Sequence, residues 1–269
     1  AERLKSIEGI RYFECDGGTA AARNKGAEAA NSDRILFLDA DCYPEEDWHD
    51  KMSEALEEYD LIEGEVEYVG ERCPFSRIVE NRGEKGRFLT ANLGVRKEVF
   101  EEIKFDENYP IFREDTDFGI RVLQQGYSNS FCHAKVEHDA GKLTLSSFIK
   151  DQKRYETEAY FFKKFQGTNY LEQHLSRFGR VFYPKEFAAT LALVALTLSI
   201  LIHPILGSTA LIGFLAALTT GFTALKVKNG GAKFCVKDCL KGMLYLPLGL
   251  GIKRYSLWKG GYKNKVLVI

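Results

Sequence analysis

Two acidic clusters carry residue types able to do chemistry. Asp39 and Asp41 follow directly on the uncharged run Ile35-Leu36-Phe37-Leu38. Carboxylates two apart point to roughly the same side while the chain stays extended. Such a pair of hard oxygen donors suits Mg2+ or Mn2+ bridging a diphosphate. The competing reading is a solvated turn in which Asp41 caps the next helix. The second cluster, Glu114-Asp115-Thr116-Asp117, opens a helical stretch. Acidic residues belong at a helix N-terminus for capping and for the macrodipole. The same place also holds a carboxylate rigidly at a cleft edge, as a general base requires. Spacing alone favours the capping role.

The elements that must position these groups follow from periodicity. Ile10 to Phe13 reads as a short strand, and Cys15-Asp16-Gly17-Gly18 as a turn. Thr19 is expected to cap a helix that stops at Asn31-Ser32-Asp33. The run Ile35–Leu38 suits a strand buried on both faces of a parallel sheet, and the carboxyl end of such a strand is where α/β ligands bind. Pro44 and Glu45 open a helix through about Tyr59. Residues 61–69 alternate, with Ile62, Val66 and Tyr68 on one face and Glu63, Glu65 and Glu67 on the other, which predicts a strand with one wet face. A helical stretch near 75–88 and a helix around 96–103 are expected next. A helix over Glu114–Gln125 is stopped by Gly126, with Phe118, Val122 and Leu123 inward. Residues 127–137 read as extended. A long amphipathic helix covers about 146–165 and ends at Gly167.

Composition changes near residue 177. Residues 177–269 hold 13 Lys/Arg against 2 Asp/Glu, whereas residues 1–176 hold 24 against 36. An acidic globule followed by a basic, apolar region points to an anionic membrane surface. Phe187 to Ile202 and Ile205 to Leu225 carry no charge and are separated by His203-Pro204. They predict two transmembrane helices, about 184–202 and 205–225. Arg177, Arg180 and Lys185 precede the pair and Lys226, Lys228 and Lys233 follow it, which puts both ends in the cytoplasm. Residues 243–258 contain Pro247, with Lys253, Arg254, Tyr255 and Trp258 beside it, and fit an interfacial segment. A buried hairpin in a soluble protein is the competing reading. The six cysteines form no two-residue knuckle and read as reduced thiols, with Cys235 and Cys239 sharing a helix face. The helix 146–165 mixes basic and aromatic residues, but the acidic domain around it argues against nucleic acid.

Five motifs then occur in order: Arg23-Asn24-Lys25-Gly26; Ile35 through Asp39-Ala40-Asp41; Thr90-Ala91-Asn92-Leu93-Gly94-Val95-Arg96; Phe105-Asp106-Glu107; and Glu114-Asp115-Thr116-Asp117-Phe118 with Arg121 and Gly126. In order and spacing they resemble family 2 glycosyltransferases of the GT-A fold, over about residues 10–140. The resemblance implies a nucleotide-diphosphate sugar donor and an inverting single displacement. It implies that Asp41 holds a divalent cation, Mg2+ or Mn2+, on the donor diphosphate, with Asp39 at the ribose or base side. Arg23 and Asn24 would border the nucleotide, and Asn92 would line the donor-sugar or acceptor pocket. Asp115 would take the acceptor proton, and Glu114 would shape the acceptor site. In similar enzymes a histidine in the region of His138 approaches the diphosphate or the metal, so His138 is a second candidate ligand. A lone histidine is also a common packing residue.

The expected architecture is therefore an α/β, GT-A-like (Rossmann-like) catalytic domain over 1–176. Its sheet would be mixed, mainly parallel, with flanking helices. A membrane region with a transmembrane helical hairpin would cover 177–269. The expected activity is transfer of one sugar to a glycan or to a polyprenol- or other lipid-linked acceptor at the cytoplasmic face of a cell membrane, by a multi-pass protein. Partners are the donor, the acceptor and the bilayer, and not nucleic acid. The alternatives are a non-catalytic membrane subunit that kept the fold, and a nucleotidyltransferase. The family begins with a strand-helix-strand unit that contacts the nucleotide, and nothing before Ile10 resembles it. The chain opens AERLKSIEGIRYF, and is expected to lack that unit and to bind donor weakly alone. Gln152-Lys153-Arg154-Tyr155 only loosely echoes the Gln-x-x-Arg-Trp motif of processive members, which favours single-sugar transfer.

Overall fold

The computed structural model describes residues 8–70, 72, 75, 77–109, 111–139, 143–168, 176–177, 180–181, 184–230 and 236–268, without the side chains of 176–187 and 226–239. The chain forms two compact units. The first comprises residues 1–69 and 79–140, and the second residues 70–78 and 141–269. The division thus falls at 140/141, whereas composition placed it near 177. Residues 141–176 join the C-terminal helices.

The first unit is built on a five-stranded mixed sheet, in order β1-β4-β3-β5-β2. Its strands are β1 (Arg34–Leu38), β2 (Cys42–Pro44), β3 (Leu61–Val69), β4 (Asn92–Arg96) and β5 (Asn129–Asp139). Helix α1 (Gly18–Ala29) precedes β1, α2 (Trp48–Glu58) follows β2, α3 (Lys97–Ile103) follows β4, and α4 (Glu114–Gln124) precedes β5.

Among the described residues of this sheet only β3 and β5 pair in parallel, and the other three strand pairings are antiparallel. The expectation of a mainly parallel sheet is corrected accordingly. β1 pairs antiparallel with β4 alone among the described residues, and only Ile35 and Phe37 are buried on it. An apolar run cannot by itself distinguish a central parallel strand from an edge strand that a helix covers on one side.

Residues 10–13 form no strand, and Ile10 and Phe13 stay exposed, because no described strand offers them a ladder. The predicted helix near 75–88 is absent among the described residues; this stretch instead makes an isolated bridge, Asn81 to Val66. β4 escaped the sequence reading because Leu93 and Val95 are its only large apolar residues, too short an alternation to announce a strand.

The core joins helices to the sheet. Met52 and Leu56 of α2 pack on Ile62 and Ala134. Phe37 meets Phe105 edge-on at 5.2 Å, and Phe105 stacks on Phe118 at 4.5 Å. Each such buried ring contributes about 1.5–3 kcal/mol by transfer. This aromatic column ties β1 to α4 and so ties the two acidic clusters together. Leu123, expected inward, is 40% exposed, and Ile120 takes its place. Gly126 ends α4 in the left-handed region, at φ +88°.

In the second unit the predicted helix 146–165 is broken into α5 (Leu145–Lys153), a 3-10 turn (Arg154–Thr157) and α6 (Glu158–Phe165). Thr144 caps α5 with a capping box shared with Ser147. Two short strands, β6 (Ser176–Arg177) and β7 (Arg180–Val181), precede helices α7 (Pro184–Ile202), α8 (Pro204–Gly230) and α9 (Val236–Asn264). α7 and α8 pack on each other, and α9 packs against α5, the 3-10 turn and α6. α9 continues through Pro247, which forgoes one ladder bond, so residues 243–258 belong to a longer helix than expected. Pro204–Leu225 is long and apolar enough to cross a bilayer, at 22 residues and mean hydropathy 1.7, whereas Ala188–Ile202 is a shorter apolar helix. The side chains of Arg177, Arg180, Lys185, Lys226 and Lys228, and the whole of Lys233, lie outside the described residues, as do Cys73, Cys235 and the Cys239 thiol.

Candidate active site

β1 ends at Leu38, and Asp39-Ala40-Asp41 turns the chain into β2. The turn is closed by Cys42 N–H donating to the Asp39 carbonyl at 3.0 Å. Asp139 N–H donates to the Asp41 carbonyl at 3.0 Å. β2 runs antiparallel to β5 with Cys42 opposite His138. That register brings His138 to Asp41: Nε2 lies 3.7 Å from Asp41 Oδ1. Asp41 is exposed and His138 buried, so the pair lies where the end of the sheet meets solvent. The Cys42 thiol completes a cluster whose potential ligand atoms lie within 4.8 Å of one another. Burial pushes that thiol up to about 12, with the charges of Asp39 and Asp41 adding to the effect.

His138 Nδ1 is buried with no hydrogen-bond partner among the described residues. A carboxylate and an imidazole at the end of a strand are donors that Mg2+ or, better, Mn2+ accepts. The two ligands predicted from the sequence are brought together, and they fit such an ion.

The second acidic cluster is joined to the first by one guanidinium. Arg23, from α1, donates through Nη2 to Asp39 Oδ1 at 2.9 Å and through Nη1 to Glu114 Oε1 at 2.7 Å. Thr19 Oγ1 donates to the same Glu114 oxygen at 3.0 Å. Thr19 therefore lies inside α1 and does not cap it; the capping position is Gly17, which has no side chain to bond. Burial works to lower the Arg23 pKa, but Asp39 and Glu114 outweigh it and hold it above its ordinary value.

α4 begins at Glu114 after Arg113, a non-glycine residue at φ 76°. Such a backbone costs energy and is found where the surroundings over-determine it. Asp115, next in the helix, is half-buried. Burial and the neighbouring Glu114 charge raise its carboxyl to about 6, against the Thr116 N–H, which donates to Asp115 Oδ1 at 2.6 Å, and the Arg23 charge. A carboxyl near 6 is a usable base at neutral pH.

Three predicted site residues serve the scaffold. Asn92 is 1% exposed. Its amide nitrogen donates to the Glu65 carbonyl at 2.9 Å and the Ala134 carbonyl at 2.7 Å, and its oxygen accepts from Trp48 Nε1 at 2.9 Å. These bonds make it a strut that ties β4 to β3 and β5. Gly64 makes room for it, since a Cβ there would fall 2.1 Å from Asn92. Asn24 is buried and exchanges two bonds with the Phe105 backbone, each 2.9 Å, fixing α1 to the Phe105 loop. Glu114 is 5% exposed and committed to Arg23 and Thr19, so it orients the guanidinium.

Sequence reasoning missed Glu63, which it placed on a wet face. Glu63 is 1% exposed and accepts from the N–H groups of Gly86, Arg87 and Phe88. No local pattern distinguishes it from Glu65 and Glu67; only the long-range return of the chain does.

The family model for Glycosyl transferase family 2 matches residues 1–105. That stretch contains Arg23, Asp39 and Asp41 and stops before Asp115 and His138. Among curated proteins, Glycosyltransferase AglE of Haloferax volcanii is 30% identical over 128 residues, or 43% of this chain and 42% of that protein. The amylovoran biosynthesis glycosyltransferase AmsB of Erwinia amylovora is 29% identical over 133 residues, or 40% of this chain and 42% of that protein. The matched segments thus span less than half the length of these relatives. Among solved structures, S. aureus TarS 1–349 in complex with UDP-GlcNAc aligns at TM-score 0.42 and 12% identity, covering 98% of this chain and 78% of that one.

Proposed function

We propose that this chain, a relative of the family 2 glycosyltransferases, moves one sugar from a nucleotide-diphosphate sugar to a hydroxyl of a glycan or lipid-linked acceptor, with inversion, at the cytoplasmic face of a membrane. The observation that carries this reading is the Arg23 bridge. It brings the end of β1, with Asp39 and Asp41, beside the start of α4, with Asp115. A donor-holding group and a candidate base are then joined through one guanidinium at the carboxyl end of β1.

In this reading Asp41 and His138 would hold a divalent cation, and the chemistry it would supply is neutralisation of the diphosphate leaving group. Asp39 is oriented by Arg23 for the nucleoside side of the donor. Asp115 Oδ accepts the proton of the acceptor hydroxyl as that oxygen bonds to the anomeric carbon. The bond from that carbon to the diphosphate breaks on the opposite face, and the electron pair leaves with the nucleoside diphosphate. No protein acid is needed for such a leaving group. Glu114 fixes Arg23 and, with it, the distance between the two halves of the site.

The membrane assignment rests on α8, on the shorter apolar α7 packed along it, and on exposed Tyr255, Trp258 and Tyr262 of α9. Aromatic residues of this kind favour the headgroup level. We therefore read α7 and α8 as a transmembrane hairpin.

A donor screen tests the proposal. The full-length protein in membranes is given common nucleotide sugars with Mn2+, with Mg2+ and with chelator. Metal-dependent release of one nucleoside diphosphate, coupled to sugar transfer, is the expected result. Silence across the panel from a folded, membrane-bound protein would favour a non-catalytic subunit.

A further inference from the structure

Among the described residues the segment between β3 and β4 has no helix or strand, yet it is pinned twice onto β3. Asn81 exchanges both backbone bonds with Val66 at 2.9 Å. Further on, the Glu63 carboxylate gathers three consecutive N–H groups: Gly86 at 2.7 Å on Oε1, and Arg87 at 2.9 Å and Phe88 at 2.6 Å on Oε2. Three converging amides are a strong site for a carboxylate, and burying one without such donors would be costly.

What this cradle fixes is Phe88. The residue is 1% exposed and sits at φ 52°, a conformation that a phenylalanine rarely adopts without being held. Its ring lies against Gly119 so closely that a Cβ on Gly119 would fall 2.1 Å from Phe88 Cγ. Gly119 follows Asp115 by one helical turn in α4, so the two lie on the same helix face. The chain of contact runs from the Glu63 carboxylate to the 86–88 backbone, to the Phe88 ring, to the Gly119 notch and so to the turn that presents Glu114 and Asp115.

We propose that Glu63 is a positioning residue for Asp115: by holding the 86–88 backbone it seats the Phe88 ring in the Gly119 notch and sets how deeply the start of α4 is buried. A packing contact alone would not require a buried carboxylate or a left-handed phenylalanine. Both have a reason if the loop must be held in one conformation against the helix. For turnover, the inference rests on the reading of Asp115 as the base.

The test reads Asp115 directly and needs no substrate. The full chain is labelled at aspartate carboxyl carbons, and the Asp115 signal is assigned by its loss in Asp115→Asn. Its titration is then followed in the parent, in Glu63→Gln and in Phe88→Leu. Glutamine sets an amide N–H against a backbone N–H, and leucine leaves the loop bonds intact while removing the ring from the notch. The parent titrates near 6, and in both variants the midpoint falls by about half a pH unit or more as the carboxyl gains water. Amide exchange accelerates about tenfold in α4 while β3 and β5 keep their protection. An unchanged Asp115 midpoint in both variants overturns the proposal. So does exchange that accelerates equally across the whole first unit, since that describes general loosening. Should Asp115→Asn retain full sugar transfer, the base assignment fails, while the titration result still decides the coupling between Glu63 and α4.

Discussion

Arg23 Nη1 lies 2.7 Å from Glu114 Oε1, with the two side chains 17% and 7% exposed. This pair welds α1 to the first residue of α4, and the second arm of the same guanidinium reaches Asp39. Removing one partner of a buried pair strands the other charge, at about 3–5 kcal/mol. Arg23→Ala is therefore expected to lower the urea midpoint of the first unit markedly. Arg23→Lys should recover only part of the loss, because one ammonium cannot hold two carboxylates in a fixed fork. Equal stability of parent and Arg23→Ala would remove the bridge from the architecture of the site.

Asp115→Asn is expected to abolish transfer while sparing donor binding, measured as turnover beside equilibrium binding of the donor. In the parent, turnover should rise with pH through about 6, as the carboxyl loses its proton. The stability effect has the opposite direction. The folded value of about 6 lies above the unfolded range of about 3.9, so folding favours the protonated form. Stability is intact below about pH 4 and declines as pH rises through about 6. The asparagine variant lacks this slope. Its melting temperature should exceed the parent's at pH 8 and converge with it at pH 4; identical slopes would contradict the burial of Asp115.

The cation site calls for a measurement independent of turnover. Asp41→Ala and His138→Ala should each weaken Mn2+ binding at least about tenfold, read by loss of the free-ion paramagnetic signal. A chelator should release the ion from the parent. Since Asp41 is exposed, its alanine variant should fold normally. Undiminished Mn2+ binding in both variants would place the ion elsewhere.

Both chemical clusters were legible because their residue types are few and their positions local. An uncharged strand followed by Asp39-Ala40-Asp41 announces a loop at a strand end, and Glu114-Asp115 announces a helix start. His138 was legible only through the resemblance, and its meeting with Asp41 comes from the β2–β5 register, in which Cys42 faces His138. Strand direction was not legible, since Ile35 to Leu38 satisfies either a parallel or an antiparallel neighbour. The burial of Glu63 and the structural bonds of Asn92 escape the sequence for a common reason. A polar residue on a strand looks solvent-facing or functional until the distant backbone groups that satisfy it are known.

Asn92 offers the clearest separation of scaffold from pocket. Its buried amide answers three groups at once: the carbonyls of Glu65 and Ala134 and the indole N–H of Trp48. Each group left unpaired costs about 1–3 kcal/mol, so Asn92→Ala should lose several kcal/mol in chemical denaturation. Gly64→Ala should be comparably damaging, because its Cβ would collide with the Asn92 amide. The two changes act on the same contact, so the double variant should be less unstable than the sum of the singles, as expected for residues that touch. A residue lining the donor-sugar pocket would behave differently. Its alanine variant would raise the donor KM at nearly parental stability, and that outcome would return Asn92 to the binding site.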